Sequence, residues 1–143
     1  TIKILDPVNL VMVQKESHNP FINKKAYRFK RLTIADLKPI LLEDIYLDPE
    51  AFSGLDQMEL VNQSLSKIVE EKFYLKPEYC KQNFTVDFPT QRQEKILEME
   101  SNAPLLKVHR YLHFPNLENG IYSVLLCRTD QYVFSQTIKG SIQ

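Results

Sequence analysis

The chain has 143 residues, of which 43% are hydrophobic and 25% are charged. This length suits one domain with one core, and the composition excludes an intrinsically disordered chain. The 18 basic and 18 acidic side chains cancel in formal charge. Because a nucleic-acid-binding surface needs an excess of Lys and Arg, we expect any DNA contact to lie outside these residues.

Cys80 and Cys127 are too few for a disulfide framework or a Cys-rich zinc site, and they predict reduced thiols in a cytoplasmic protein. The sequence contains no apolar run that could cross a bilayer and no signal-peptide pattern, so no membrane partner is expected. The chain begins at Thr1 and not at Met. This start suggests a piece of a longer polypeptide that carries a further domain.

The first half of the chain predicts three strands and a helix. Apolar clusters interrupted by Pro7 predict a broken strand over 2–13. Aromatic and branched residues predict a hairpin with strands over 26–34 and 40–47. A helix is predicted over 64–73, because apolar residues recur there at helical spacing.

The second half predicts one helix and four strands. Thr90 and Gln93 fit a capping box that opens a helix reaching Met99. Strands are predicted over 83–88, 105–114, 121–128 and 131–138, with a turn over 116–120. The neighbouring hairpins indicate an antiparallel sheet with helices packed on one face, an α+β fold in one domain over 1–143.

The hairpin contains an acidic residue in an apolar setting. Strand alternation places Arg31 and Thr33 on one face, and it places Glu43 among aliphatic side chains on the neighbouring strand. A carboxylate there is costly unless a partner or water reaches it. Glu43 is therefore either the partner of Arg31 in an ion pair or a polar group in a ligand cavity, and the pattern favours neither.

Other candidate sites are weaker. Ser64 and Ser66 begin a predicted helix, where free N–H groups attract anions, although Ser64 as a simple helix cap is the favoured interpretation. His109 and His113 share a strand face, but without a third ligand nearby they favour a solvated face over a metal site. No nucleophile elbow, glycine-rich loop or HExxH motif occurs, so neither an enzyme nor a cofactor is expected.

Five motifs then resemble one family in order and spacing. The hairpin AYRFKRLTIAD followed by PILLEDIYL resembles that of the UTRA domain, the ligand-binding module of HutC-subfamily GntR transcription regulators. Four further segments are similar to motifs of the same family: Gly54-Leu55, Ser64-Leu65, Ala103-Pro-Leu-Leu106 with Arg110, and Arg128-Thr-Asp-Gln-Tyr-Val-Phe134. The resemblance runs from about residue 26 to the C-terminus.

The resemblance implies a chorismate-lyase-like fold, a homodimer, and a winged helix-turn-helix DNA-binding domain outside this chain. It also implies a repressor whose DNA binding responds to a small effector such as a phosphorylated sugar. In sugar-phosphate-binding relatives the matching positions hold the effector. These positions are Arg31, Thr33, Glu43, Ser64, Ser66, Ile121, Tyr122 and Cys127.

Three of these positions depart from the family pattern. Thr33 replaces a second arginine, Ile121 a glutamate and Cys127 a tyrosine, so the pocket is expected to be less polar than in the relatives. Two alternatives stay open. One is a domain that only dimerises, and the other is a lyase with Glu43 as its sole candidate for proton transfer.

Overall fold

Six strands form one antiparallel sheet in the order β1-β2-β3-β6-β5-β4. The computed structural model describes residues 1–140. The elements are β1 (Ile2–Met12), β2 (Lys25–Ala35), β3 (Lys38–Leu47), a 3-10 helix (Leu55–Gln57), α1 (Leu65–Phe73), β4 (Tyr79–Asp87), α2 (Gln91–Leu97), β5 (Leu105–Phe114) and β6 (Leu117–Cys127). The predicted α+β class, an antiparallel sheet that carries helices, is confirmed.

The first strand is continuous, whereas a broken strand was predicted around Pro7. β1 pairs with β2 along its length, and its register shifts between Ile4 and Asp6 and again between Asp6 and Asn9. Proline has no N–H to donate to a strand partner, so it is tolerated on an edge strand where the ladder is irregular. The sheet absorbs Pro7 in this way and the strand does not end.

The β2–β3 hairpin closes through a tight turn without glycine. Asp36 and Leu37 both have positive φ, 50° and 65°. Two central residues with positive φ are typical of the turn whose twist matches a two-stranded hairpin. The turn pairs Ala35 with Lys38, and a register shift between Thr33 and Ile34 then brings Arg31 opposite Glu43.

The predicted last strand over 131–138 is wrong, because this segment contains no strand. It pairs with neither edge of the sheet, and Val133 and Ile138 are exposed. A strand needs a partner for its backbone groups, and apolar alternation alone does not supply one. The starts of two other strands differ from prediction by four residues. β4 begins at Tyr79, and β6 already begins at Leu117 because Phe114 pairs with that residue directly after the turn.

The two helices lie on opposite faces of the sheet, although one face was predicted. The α1 face carries the cluster that includes Phe29, Ile45 and Val69. The α2 face carries the cluster that includes Leu42 and Leu97. Alternate residues of β2, β3 and β6 are apolar on both sides, and each side therefore needs its own cover.

Side chains predicted from sequence cap both helices. The Ser64 hydroxyl accepts a hydrogen bond from the Lys67 N–H at 3.3 Å. At α2 the capping box is complete. The Gln93 N–H donates to the Thr90 hydroxyl at 3.2 Å, and the Thr90 N–H donates to the Gln93 side chain at 2.9 Å. Each cap satisfies N–H groups that have no partner within the helix.

Arg128 ties the end of β6 to the end of α2. Its Nη1 donates to the Leu97 carbonyl at 3.0 Å, and its Nε lies 3.1 Å from the Asp130 carboxylate. Helix carbonyls at a C-terminus lack partners inside the helix, so a buried guanidinium stabilises that end. The Arg-Thr-Asp motif therefore has a structural role.

Candidate functional site

A hollow of about 570 Å³ opens on the α2 face. Its floor is aliphatic and includes Leu42, Val124 and Leu126, which belong to the two central strands. The rest of its lining comes from β2, β3, β5 and β6, from the loop after β1, and from the end of β4 to the start of α2. The other lining residues are Lys15, Glu16, Ser17, His18, Lys30, Asp44, Asp87, Phe88, Thr90, Gln93, Leu105, Lys107, His109 and Tyr122.

The loop wall is held by side-chain hydrogen bonds. The Glu16 carboxylate accepts from the Tyr46 hydroxyl at 2.8 Å and from the Asn19 amide at 3.1 Å. The Tyr111 hydroxyl donates to the His18 carbonyl at 3.0 Å. Asn19 is buried, and its own carboxamide oxygen accepts the Phe21 N–H. This wall is therefore preformed, as small-molecule sites usually are.

The acidic groups of the hollow are already engaged. The Arg28 guanidinium binds both oxygens of Asp44 at 2.7 and 2.8 Å, and this contact raises the pKa of Arg28. Asp87 lies 3.4 Å from Lys107. Lys30 stands opposite Asp44 in the strand register, yet the carboxylate turns to Arg28.

Two cations of the lining have no such partner. Within residues 1–140, no carboxylate lies within salt-bridge distance of Lys15 or Lys30. Arg28 also adds positive charge next to the hollow through its contact with Asp44. The three lysines and three carboxylates of the lining balance formally, so Arg28 leaves the neighbourhood with an excess of positive charge.

His109 and Tyr122 form a close pair in the wall. His109 Nδ1 lies 2.6 Å from the Tyr122 hydroxyl. Burial lowers the pKa of His109, and the nearby charges of Lys107 and His18 lower it further. Burial also raises the pKa of Tyr122. A neutral imidazole accepts the phenol proton at Nδ1 and carries its own proton at Nε2.

Arg31 and Glu43 lie on the other side of the sheet. Arg31 Nε and Nη2 donate to the two Glu43 oxygens at 2.9 and 3.2 Å. The structure thus shows the ion pair, one of the two interpretations left open by the sequence. Thr33 and Cys127 share this α1 face, since both are opposite Leu41 in the register.

The remaining predicted residues do not converge on the hollow, with one exception. Ser64 is the helix cap, and both Ser64 and Ser66 are exposed at the start of α1. Ile121 is buried in the α1-face cluster, whereas its neighbour Tyr122 lines the hollow on the α2 face. Of the eight predicted positions, Tyr122 alone lines this hollow. The effector-binding role of the other seven stays a prediction.

Sequence reasoning missed most of the lining. The relevant signal is a set of three charged residues, Arg28, Lys30 and Asp44, on the even-numbered face of the hairpin. Lys15, Ser17 and His18 belong to a loop, and no periodic pattern places a loop over a sheet.

The two histidines of β5 have separate partners. His113 is buried, stacks on Tyr79 with ring centroids 4.1 Å apart, and accepts the Asn119 N–H. A solvated face was predicted for both histidines, and for His113 this is wrong because the β5–β6 turn covers it. No cluster of three metal-binding side chains occurs within residues 1–140. None of the helices in that range has the length and apolar character needed to cross a membrane.

Comparison with known families defines the class of protein. The family model of the UTRA domain matches residues 22–133. The chain therefore belongs to the UTRA domain family. No curated protein sequence matches the chain.

Solved structures share this fold at low sequence identity. The effector domain of PhnF from Mycobacterium smegmatis has a TM-score of 0.83 and 13% identity, covering 97% of this chain and 86% of that one. A GntR-family transcriptional regulator from Enterococcus faecalis V583 has a TM-score of 0.80 and 17% identity, with 96% and 100% covered. The PhnF structure from the same Mycobacterium has a TM-score of 0.84 and 12% identity, and the match covers 98% of this chain but 63% of that one. The fold is that of GntR-regulator effector domains.

Proposed function

We propose that the chain is the effector-binding and dimerising domain of a bacterial GntR-type repressor of the HutC subfamily. The observation that carries this proposal is the UTRA match over 22–133 together with the effector-domain fold. DNA would be bound by a separate winged-helix domain in the cytoplasm. The balanced charge of this chain agrees with a DNA-binding surface that lies on another domain.

The proposed effector is a phosphorylated sugar or a related metabolite at the α1 face. Arg31 supplies the cation and Glu43 a hydrogen-bond acceptor for a sugar hydroxyl, with Thr33 and Cys127 beside them. Ser64, Ser66 and Ile121 complete the proposed set on this side of the chain, whereas Tyr122, the eighth proposed position, lies on the α2 face. Arg31 already gives Nε and Nη2 to Glu43. An anion would therefore use Nη1 and the second proton of Nη2, or displace the carboxylate.

Ligand-dependent stabilisation of the 143-residue chain tests this proposal. Glucosamine 6-phosphate and glucose 6-phosphate would be compared with the corresponding unphosphorylated sugars. A ligand at a hundredfold excess over Kd stabilises the folded state by about 2.7 kcal/mol. We expect stabilisation by a phosphosugar and its loss in Arg31→Gln. No stabilisation by any phosphosugar, with an intact dimer, would favour the domain that only dimerises.

Exposed apolar side chains support the proposed homodimer. Phe84, Val86 and Phe88 of the edge strand β4 and the segment after it are exposed, as is Val133 near the C-terminus. Phe84 and Val86 are neighbours on one face of β4, and adjacent exposed apolar residues of this kind are typical of protein interfaces. Sedimentation velocity at several concentrations tests the dimer, and Val86→Lys is expected to shift the equilibrium toward monomer.

Effector-dependent DNA binding would be tested on the complete regulator. Fluorescence anisotropy with its operator DNA is expected to fall when the stabilising phosphosugar is added, because the effector favours one arrangement of the dimer. Unchanged operator affinity at saturating effector would contradict the regulatory role. The lyase alternative predicts product from chorismate, but the only proposed proton-transfer group, Glu43, has both oxygens engaged by Arg31.

A further inference from the structure

We propose that the hollow on the α2 face binds a small organic anion with an aromatic or aliphatic body. This site is separate from the Arg31–Glu43 face and does not depend on the proposed function of that face. The anionic group would be a carboxylate or a phosphate. Lysine side chains of the lining would bind the anionic group, and the aliphatic floor would contact the body of the ligand.

Size and lining fit such a molecule. The hollow measures about 570 Å³, within the range of small-molecule sites, and a fused two-ring acid would fit inside it. Leu42, Val124 and Leu126 provide apolar floor in the centre of the sheet. Contact with these side chains removes apolar ligand surface from water, which favours binding.

Charge selects an anion over a cation. Asp44 is bound on both oxygens by Arg28, and Glu16 accepts hydrogen bonds from Tyr46 and Asn19. A cationic ligand would have to break these contacts to gain a partner. Within residues 1–140, Lys15 and Lys30 have no salt bridge to a carboxylate that ligand binding would break. An anion therefore gains charge-assisted hydrogen bonds at less cost than a cation does.

The wall also offers a neutral hydrogen-bonding pair. Because the Tyr122 hydroxyl is satisfied by His109 Nδ1 at 2.6 Å, the neutral imidazole keeps a donor at Nε2. The opposite wall contains Thr90 and Gln93, whose side-chain oxygens accept the two hydrogen bonds of the capping box. The Thr90 hydroxyl proton and the Gln93 amide protons stay available, so an anion can accept hydrogen bonds from this wall as well as from His109 and the lysines.

Three matched probes test the proposal on the 143-residue chain by ¹H–¹⁵N chemical-shift titration. These are naphthalene-2-carboxylate, 2-naphthyl phosphate and the uncharged naphthalene-2-carboxamide. We expect one saturable site per chain, with shifts at Lys30, Lys107 and Val124. At least one anion should bind about tenfold more tightly than the amide, as one charge-assisted hydrogen bond allows. Comparison of the affinities for naphthalene-2-carboxylate and 2-naphthyl phosphate shows which anionic group the hollow prefers.

Variants separate the site from the other face. Lys30→Gln and Lys15→Gln remove lining cations and are expected to weaken anion binding about threefold each, so that together they account for the tenfold preference, while binding of the amide is unchanged. Lys72→Gln, an exposed lysine of α1 on the opposite face, is the control and should change nothing.

Several results would overturn the proposal. Equal affinity for the amide and both anions would remove the role of the lysines. Shifts centred on Arg31 and Ser64 would place the ligand at the α1 face, in agreement with the proposed effector site but against this one. Absence of saturable binding would also reject it, whether the hollow is unsuited to these anions or covered by a second copy of the chain.

Discussion

Arg31 and Glu43 form a two-point ion pair across β2 and β3, on the face of the sheet opposite the hollow. Their side chains are 15% and 6% exposed, so both charges are largely removed from water. Burial of two charges costs desolvation energy that their attraction offsets only when the geometry is good. The pair is therefore more sensitive to the loss of one partner than to the loss of both.

Arg31→Met is expected to destabilise the chain strongly. It leaves the Glu43 carboxylate buried without its cation, which costs about 3 kcal/mol. The double variant Arg31→Met/Glu43→Leu replaces both charges with apolar groups and should lie within about 1 kcal/mol of the wild type. Urea unfolding followed by circular dichroism measures both free energies.

The matched control is the neighbouring pair Arg28–Asp44. It has the same two-point geometry, but its side chains are 36% and 21% exposed. Arg28→Met should therefore cost less, about 1 kcal/mol, because water partly replaces the lost partner. If Arg28→Met and Arg31→Met cost the same, burial does not govern the strength of these pairs.

Gly120 is expected to resist substitution because of packing. A Cβ at this position would lie 2.7 Å from Leu117 Cδ2 and 2.9 Å from Phe114 Cδ2. Gly120→Ala should destabilise the fold by about 1–3 kcal/mol, as overpacking of a core does. In a Leu117→Ala background the same substitution should cost less, since one of the two clashes is gone. Equal costs in both backgrounds, measured by urea unfolding, would locate the strain elsewhere.

The sequence predicted the strands and helices where period and capping agree. The capping residues Thr90 and Gln93 predicted the start of α2, and Ser64 predicted the start of α1. The alternation of apolar residues predicted the β2–β3 hairpin. The unpaired segment over 131–138 was not predictable, because its alternation resembles that of a strand and only the missing partner reveals the difference. The candidate site was also only partly predictable from the sequence. The strand period places Lys30 and Asp44 on one face of the hairpin, but which face a loop covers depends on long-range contacts such as Tyr46–Glu16.

The two thiols should differ sharply in reactivity. Cys127 is buried, and burial raises its pKa to about 11, so little thiolate forms near neutral pH. Cys80 is exposed, although burial of part of its side chain raises its pKa as well. Ellman's reagent at pH 8 should modify one thiol per native chain and two after unfolding. Native Cys80→Ser should then show no rapid reaction, and a rapid reaction in that variant would contradict the burial of Cys127.

Acid should destabilise the fold through His109. Burial, Lys107 and His18 lower the pKa of His109 in the folded state below the ordinary value, which is about 6.5 for an unfolded histidine. Between these two pKa values the unfolded chain binds more protons than the folded chain. Stability therefore rises with pH in this interval, and it is lost as the pH falls through about 6.5.

His109→Gln isolates this contribution, because the glutamine carboxamide oxygen can still accept the Tyr122 hydroxyl proton while the side chain does not titrate. Unfolding free energies would be measured in urea at pH 7.5 and pH 5.5 for the wild type and the variant. The loss on acidification should be smaller in His109→Gln, although carboxylates that titrate lower on the scale add a common slope to both. Equal losses would mean that the folded chain accepts a proton at His109 as readily as the unfolded one, and His109 would then be charged in mild acid and no longer a neutral donor in the hollow.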